Sequence, residues 1–122
     1  MPLVLVQYKQ LAFLEEVVEK LSKALPKIVA PNLNLSEYER LAGGVLPEDI
    51  IVRCTKGGKM DTNEKDIGII IFAHDFPERK ENLEERKDAI IKGIHEFLAT
   101  NYERNVSGFV WILLAPSAFG QL

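Results

Sequence analysis

Apolar and polar residues follow two different periods along this chain, and the switches between them divide it into two similar halves. Leu3, Val4, Leu5 and Val6 open the first half as a short apolar run, so residues 2–8 read as a β-strand. From Leu11 the spacing changes. Leu11, Leu14, Val18, Leu21 and Leu25 recur three and four apart, with Glu15, Glu19, Lys20 and Lys23 between them. That pattern predicts an amphipathic helix with one buried stripe. Pro26 lacks a backbone N–H and is expected to end or kink this helix. Residues 27–35, with Pro31, Asn32 and Asn34, then read as a connection. Ser36 followed by Glu39 has the form of a capping box and predicts a short helix to about Leu41, stopped by Gly43 and Gly44.

A second strand closes the first half, and from residue 67 the order strand, helix, strand repeats. Residues 50–55 (Ile50, Ile51, Val52, Arg53, Cys54, Thr55) form a β-branched strand. Residues 56–66 hold Gly57, Gly58 and the charges of Lys59, Asp61, Glu64, Lys65 and Asp66, the pattern of a solvated loop. Residues 67–74 are the most apolar strand, closed by Pro77. Asn82 is placed to cap a second long helix, with Glu85 three residues on, and Leu83, Ile90, Ile94 and Phe97 form its stripe; the helix is expected to end between Asn101 and Asn105. Gly108 to Ala115 is the last strand, and Pro116 stops it. The chain is thus expected to be one α/β (α+β) domain over residues 1–122, with βαβ units at 2–56 and 67–116. Right-handed crossovers put both helices on one face of a four-stranded mixed sheet. The strands at 67–73 and 109–115 are apolar at nearly every position, which marks strands buried on both faces. Two helices cover only one. Self-association of the bare sheet faces is the simplest way to cover the other.

Composition narrows the partners. The chain has 122 residues and a net charge of −3, with no basic stripe interleaved with aromatics, so nucleic acid is not an expected partner. No apolar run approaches the ~18 residues of a membrane span, and the start lacks the charged and apolar regions of a signal peptide. The one cysteine, Cys54, reads as a small packing residue, and a cytoplasmic location is expected. No His, Cys, Asp and Glu grouping has metal-ligand spacing, and Gly57-Gly58 is too little for a phosphate loop, so no cofactor is expected.

The chemistry starts at Pro2. Methionine is normally trimmed before a residue as small as proline, which would leave Pro2 with a free secondary amine at the head of an apolar strand. An α-amine titrates near ~7.7–8 in water. An apolar pocket disfavours its charged form and moves it toward neutrality, where it can accept and return a proton. Proline at position 2 more often signals only efficient methionine removal.

Met1-Pro2 followed by a strand, in a chain of two βαβ units, resembles the tautomerase superfamily. The likeness is strongest to its long-chain members, the 5-carboxymethyl-2-hydroxymuconate isomerases and the macrophage migration inhibitory factor group. It covers most of the chain by element order rather than by identity. Segment 32–44 has no counterpart in it. Pro2 matches the family's catalytic N-terminal proline. Asp49-Ile50-Ile51-Val52-Arg53 resembles the second strand, where the muconate isomerases carry an arginine. Phe76-Pro77-Glu78-Arg79-Lys80 is similar to the segment that opens a helix in 4-oxalocrotonate tautomerase, with Pro77 and Glu78 where glycine is usual. Phe119-Gly120 resembles the aromatic-glycine turn that lines the pocket, although the glycine-rich tail beyond it is missing. Trp111 falls where the migration inhibitory factor group has a pocket tyrosine.

The resemblance implies a homotrimer with sites between subunits. It further implies a cofactor-free tautomerase or isomerase acting on a small anionic substrate, a 2-oxo or 2-hydroxy-dienoic acid. Pro2 would be the general acid and base, Arg53 would stabilise the enolate oxygen, and Arg79 would hold a carboxylate. Trp111 and Phe119 would exclude water. A non-catalytic trimer that binds a ligand or a protein is the alternative. The ordinary readings of the same residues are a salt-bridged strand arginine for Arg53, a solvated helix start for the charge run 78–87, and core packing for Trp111 and Phe119. His74 and Asp75, as neighbours on a strand, point to opposite faces. His95 is expected on the solvent side of its helix.

Overall fold

The computed structural model describes residues 2–35, 44–62, 65–102, 105–116 and 122. The predicted capping box at Ser36, Phe119 and Gly120 lie outside these described residues. The elements run β1 (Leu3–Tyr8), α1 (Ala12–Leu33), a 3₁₀ turn (Pro47–Asp49), β2 (Ile51–Lys56) and β3 (Ile67–His74). A short α2 (Pro77–Glu81), a long α3 (Leu83–Asn101) and β4 (Gly108–Ala115) complete the order. The sheet order is β2-β1-β3-β4. β1 and β2 are parallel, β3 and β4 are parallel, and β1 and β3 run antiparallel side by side. Two βαβ units are therefore joined back to back into one mixed sheet.

Register sorts every strand residue to a face. Leu3 lies beside Ile51 and Phe72, and Leu5 beside Arg53 and Ile70. Val4 and Val6, with Ile69 and Ile71, point the other way and are fully buried against α1 and α3. The helical stripe is the expected one at Leu14, Val18, Leu21 and Leu25 of α1 and Ile90 and Ile94 of α3, but Leu11, expected to open it, precedes the helix and is exposed. The opposite face carries Leu3, Leu5, Ile51, Ile70, Phe72, Phe109, Trp111 and Leu113, and no helix among the described residues covers it. Phe72, Phe109 and Trp111 are accordingly 37%, 44% and 59% exposed. Phe109 turns its ring across Gly68, and a Cβ added at that glycine would come within 2.5 Å of the ring.

Two local expectations are corrected. Helix α1 does not end at Pro26; it continues through Pro26 and Pro31 to Leu33. A proline inside a helix costs about 3 kcal/mol. Beyond Pro26 the helix buries Val29, Ala30 and Leu33. At ~1.5–3 kcal/mol for each large side chain, this offsets much of that cost. The remainder comes from two arginines that bind the end of the helix. Asn82 does precede α3, but its side chain makes no capping bond. Its Oδ1 instead accepts from Arg86 Nε at 2.5 Å.

Candidate functional site

Two of the candidate residues, Pro2 and Arg79, lie at one pole of the sheet, where β1 begins and β3 and β4 end. Pro2 is buried there. Its carbonyl accepts from the Ile51 N–H at 3.1 Å, so the β1–β2 ladder continues one residue beyond the strand. Extending the register puts Pro2 between Ile50 and Ala73, both buried, on the helix-covered face. Its ring therefore lies between two apolar neighbours.

Arg79 lies at the same pole and is 2% exposed. Nε donates to the Leu33 carbonyl at 2.9 Å and Nη1 to the His74 carbonyl at 3.0 Å. The guanidinium carbon sits 5.0 Å from the centre of the Phe76 ring, which meets His74 edge-on at 4.6 Å. Burial lowers the Arg79 pKa first, the nearby Arg86 charge lowers it further, and Glu78 partly opposes both. Arg79 thus ties the end of α1 to the end of β3. The solvated helix start suggested by the charge run does not describe it.

Arg86 was not legible as a site residue. It is 8% exposed. Nη1 donates to the Asn32 carbonyl at 3.0 Å and the Asn34 carbonyl at 2.8 Å, and Nη2 lies 3.9 Å from Glu78. The available signal was its place in the stripe. Arg79, Leu83, Arg86, Ile90 and Ile94 follow helical spacing, and a cation inside an apolar stripe points to buried acceptors. Both arginines meet the carbonyl end of α1, where the helix leaves acceptors unpaired and carries partial negative charge. Asp75 bonds Lys80 through Oδ2 at 3.0 Å, while its buried Oδ1 has no hydrogen-bond partner among the described residues.

Arg53 is exposed on β2. Its partner is Leu5, three residues along the strand from the Pro2 level, or about 10 Å. Alternation puts Arg53 on the open face and Pro2 on the covered one. Trp111 is also on the open face, beside Ile70. A single protomer therefore brings Pro2 and Arg79 to one pole, and it leaves Arg53 and Trp111 on the uncovered sheet. Neither principal cleft involves these residues. One, about 110 Å³, lies between α3 and β4 near Ile94, Leu98 and Val110. The other, about 350 Å³, opens at the far end of β1 near Gln7, Thr55 and Lys65. His95 is exposed and borders the first. No group of three His, Cys, Asp or Glu among the described residues is placed to hold a metal ion. No described helix is long and apolar enough to cross a membrane.

No family model matches the chain, and no curated protein matches it. Solved structures do. A fused 4-OT, wild type and a symmetric trimer, superposes with a TM-score of 0.54 at 14% identity, over 93% of this chain and 85% of that one. The macrophage migration inhibitory factor-like protein of Entamoeba histolytica also superposes with a TM-score of 0.54, at 15% identity over 95% of this chain and 88% of its own. Low identity over nearly the whole length means that the likeness lies in the path of the backbone. The chain has the fold that tautomerase and migration inhibitory factor-like structures share, a four-stranded mixed sheet with helices on one face.

Proposed function

We propose that this protein is a cofactor-free tautomerase or isomerase in which Pro2, freed by removal of Met1, moves a proton on a small 2-oxo or 2-hydroxy-dienoic acid. The observation that carries the reading is Pro2 itself. It is buried at the head of β1, in a fold that known tautomerase structures adopt. Shifting a double bond beside a carbonyl requires a base that takes a proton from carbon and returns it elsewhere. A secondary amine near neutrality can do both. Cations stabilise the enolate that forms between the two transfers, and the loss of one such donor typically costs ~10²–10³ in rate. In this reading Arg53 is that donor. Trp111 and Phe119 keep water from the amine. Arg79 fixes the pole through the Leu33 and His74 carbonyls, and in this reading its guanidinium, which carries five N–H donors, also holds the substrate carboxylate.

The reading includes a homotrimer. The open face exposes Phe72, Phe109 and Trp111, and the fused 4-OT with the same fold is a symmetric trimer. A neighbouring sheet laid against that face would cover the aromatics and could bring a partner's Arg53 or Trp111 toward Pro2. Sedimentation that finds only monomer at micromolar concentration would defeat this part.

The deciding experiment compares protein lacking Met1 with protein that retains it, both verified by intact mass. The processed form should ketonise a simple enol such as phenylenolpyruvate, with a rate rising with pH through a midpoint below that of a free amine. The Met1-bearing form should be nearly inert, because an amide nitrogen cannot take the proton. Equal activity of the two forms, or none in either across a panel of enol acids, rejects the catalytic role and leaves the ligand-binding trimer as the better account.

A further inference from the structure

The β1–β2 ladder has one rung that the unprocessed chain cannot make. In a parallel ladder a residue accepts from the residue after its partner and donates to the residue before it. Leu3 pairs with Ile51, so Pro2 stands opposite Ile50. Its accepting half is present, since the Ile51 N–H donates to the Pro2 carbonyl at 3.1 Å. Its donating half points to the Asp49 carbonyl. While Met1 is attached, the Pro2 nitrogen is a tertiary amide with no hydrogen to give.

The acceptor is held in a closed turn. The Asp49 N–H donates to the Leu46 carbonyl at 2.9 Å, and the Leu46 N–H donates to Asp49 Oδ2 at 2.9 Å. The Ile50 N–H closes the turn onto the Pro47 carbonyl at 3.2 Å, and Ile50 is 8% exposed. The Asp49 side chain thus closes the turn from which its own backbone carbonyl projects.

We propose that removal of Met1 completes this rung: the Pro2 amine N–H donates to the Asp49 carbonyl, and Asp49 is the positioning residue that sets where the amine's lone pair points. The inference rests on the reading of Pro2 as a free amine. The proton count is consistent with a base that works in both directions. The neutral amine has one N–H, which stays on the carbonyl, and a lone pair that faces away from it. The protonated amine has two, one still bonded and one to deliver.

The test reads the nitrogen directly, whether or not the protein turns over an enol. Processed protein labelled with ¹⁵N-proline is titrated by NMR as wild type, Asp49→Asn and Asp49→Ala. Both variants remove the same carboxylate, so the surrounding charges at this pole (Glu48, His74, Asp75, Arg79 and Arg86) act equally on each. Asparagine can still accept from the Leu46 N–H; alanine cannot. An ammonium donates more strongly than a neutral amine, so losing the carbonyl disfavours the charged form. The Asp49→Ala midpoint should fall about one pH unit below that of Asp49→Asn. Equal midpoints, or a higher one in the alanine variant, overturn the proposal. A crystal structure of the processed wild type gives the second measurement, needed if the alanine variant does not fold. The Pro2 nitrogen should lie within about 3.2 Å of the Asp49 carbonyl oxygen, and a separation beyond hydrogen-bond reach overturns the rung. An active enzyme without this bond would refute only this inference, and an inert protein that has it would refute only the catalytic reading.

Discussion

Replacing Arg86 with alanine should be among the most damaging single changes in this protein. The side chain serves three acceptors at once: the carbonyls of Asn32 and Asn34 and the Oδ1 of Asn82. Truncation leaves all three without their donor in a region where Arg86 itself is 8% exposed. Each unpaired buried polar group costs ~1–3 kcal/mol. Three such groups sum to about 3–9 kcal/mol, and water will reach some of them at the helix end, so the loss falls at the lower end of that sum, about 3–5 kcal/mol. Spread over a domain of this size, that is a drop in Tm of roughly 10–20 °C. Arg86→Lys keeps the charge but loses the planar fork that reaches several acceptors, and should recover about half of the loss. Urea denaturation of wild type, Arg86→Ala and Arg86→Lys measures this, with exposed Lys92→Ala as a control that should change stability by no more than about 0.5 kcal/mol. If Arg86→Ala lies within about 1 kcal/mol of wild type, the bonds to the α1 end contribute little, and the account of why α1 passes its two prolines is wrong.

Three further outcomes follow from the fold. Pro26→Ala should stabilise the protein by about 1–3 kcal/mol in urea melts, because it restores a helical N–H at a position already held in helix and loses only the proline's smaller effect on the unfolded chain. Gly68→Ala should cost about 1–3 kcal/mol, since the new methyl meets the Phe109 ring; the cost should largely vanish in a Phe109→Ala background, and an unchanged cost there would place the strain elsewhere. Trp111→Glu, at a residue 59% exposed in the protomer, should reduce the sedimenting species to monomer while far-ultraviolet circular dichroism is retained; an undisturbed trimer would remove this face from the interface.

Most of the fold was legible because hydrophobic period carries it. Spacings of three and four over residues 11–25 and 83–97 identified the long helices, and strand residues such as Ile50–Ile51–Val52 and Ile69–Ile70–Ile71 identified the sheet. The nearly unbroken apolar runs in β3 and β4 also announced an uncovered face, which the exposed Phe72, Phe109 and Trp111 display. The length of α1 was not legible. Pro26 and Pro31 are strong local signals against a helix, and what overrides them is tertiary. Val29 and Leu33 have a core to enter, and Arg79 and Arg86 arrive from more than 40 residues away to bind the helix end. The stripe did extend past Pro26, at Val29 and Leu33, but nothing local says that burial will exceed the proline cost.

The arginines show why sites read less clearly than folds. Arg53, Arg79 and Arg86 have the same side chain; the first lies in a β-branched strand and the other two in a stretch of mixed charge. The sheet exposes the first, while the folding of α2 and α3 over the end of α1 buries the other two. Burial and hydrogen bonding decide what a guanidinium can do, and both depend on elements far away in the chain. A cation that already serves two backbone carbonyls offers less to a substrate than one that faces solvent or a neighbouring subunit. Chemistry that needs a cation beside Pro2 therefore has two routes. Arg79 can serve within the protomer while it still holds the Leu33 and His74 carbonyls, or a second subunit can present Arg53 across the open sheet. The open sheet also carries the exposed rings of Phe72, Phe109 and Trp111. Assembly and catalysis would then depend on the same face, and loss of the trimer in Trp111→Glu should abolish enol turnover even though Pro2, Asp49 and Arg79 keep their places.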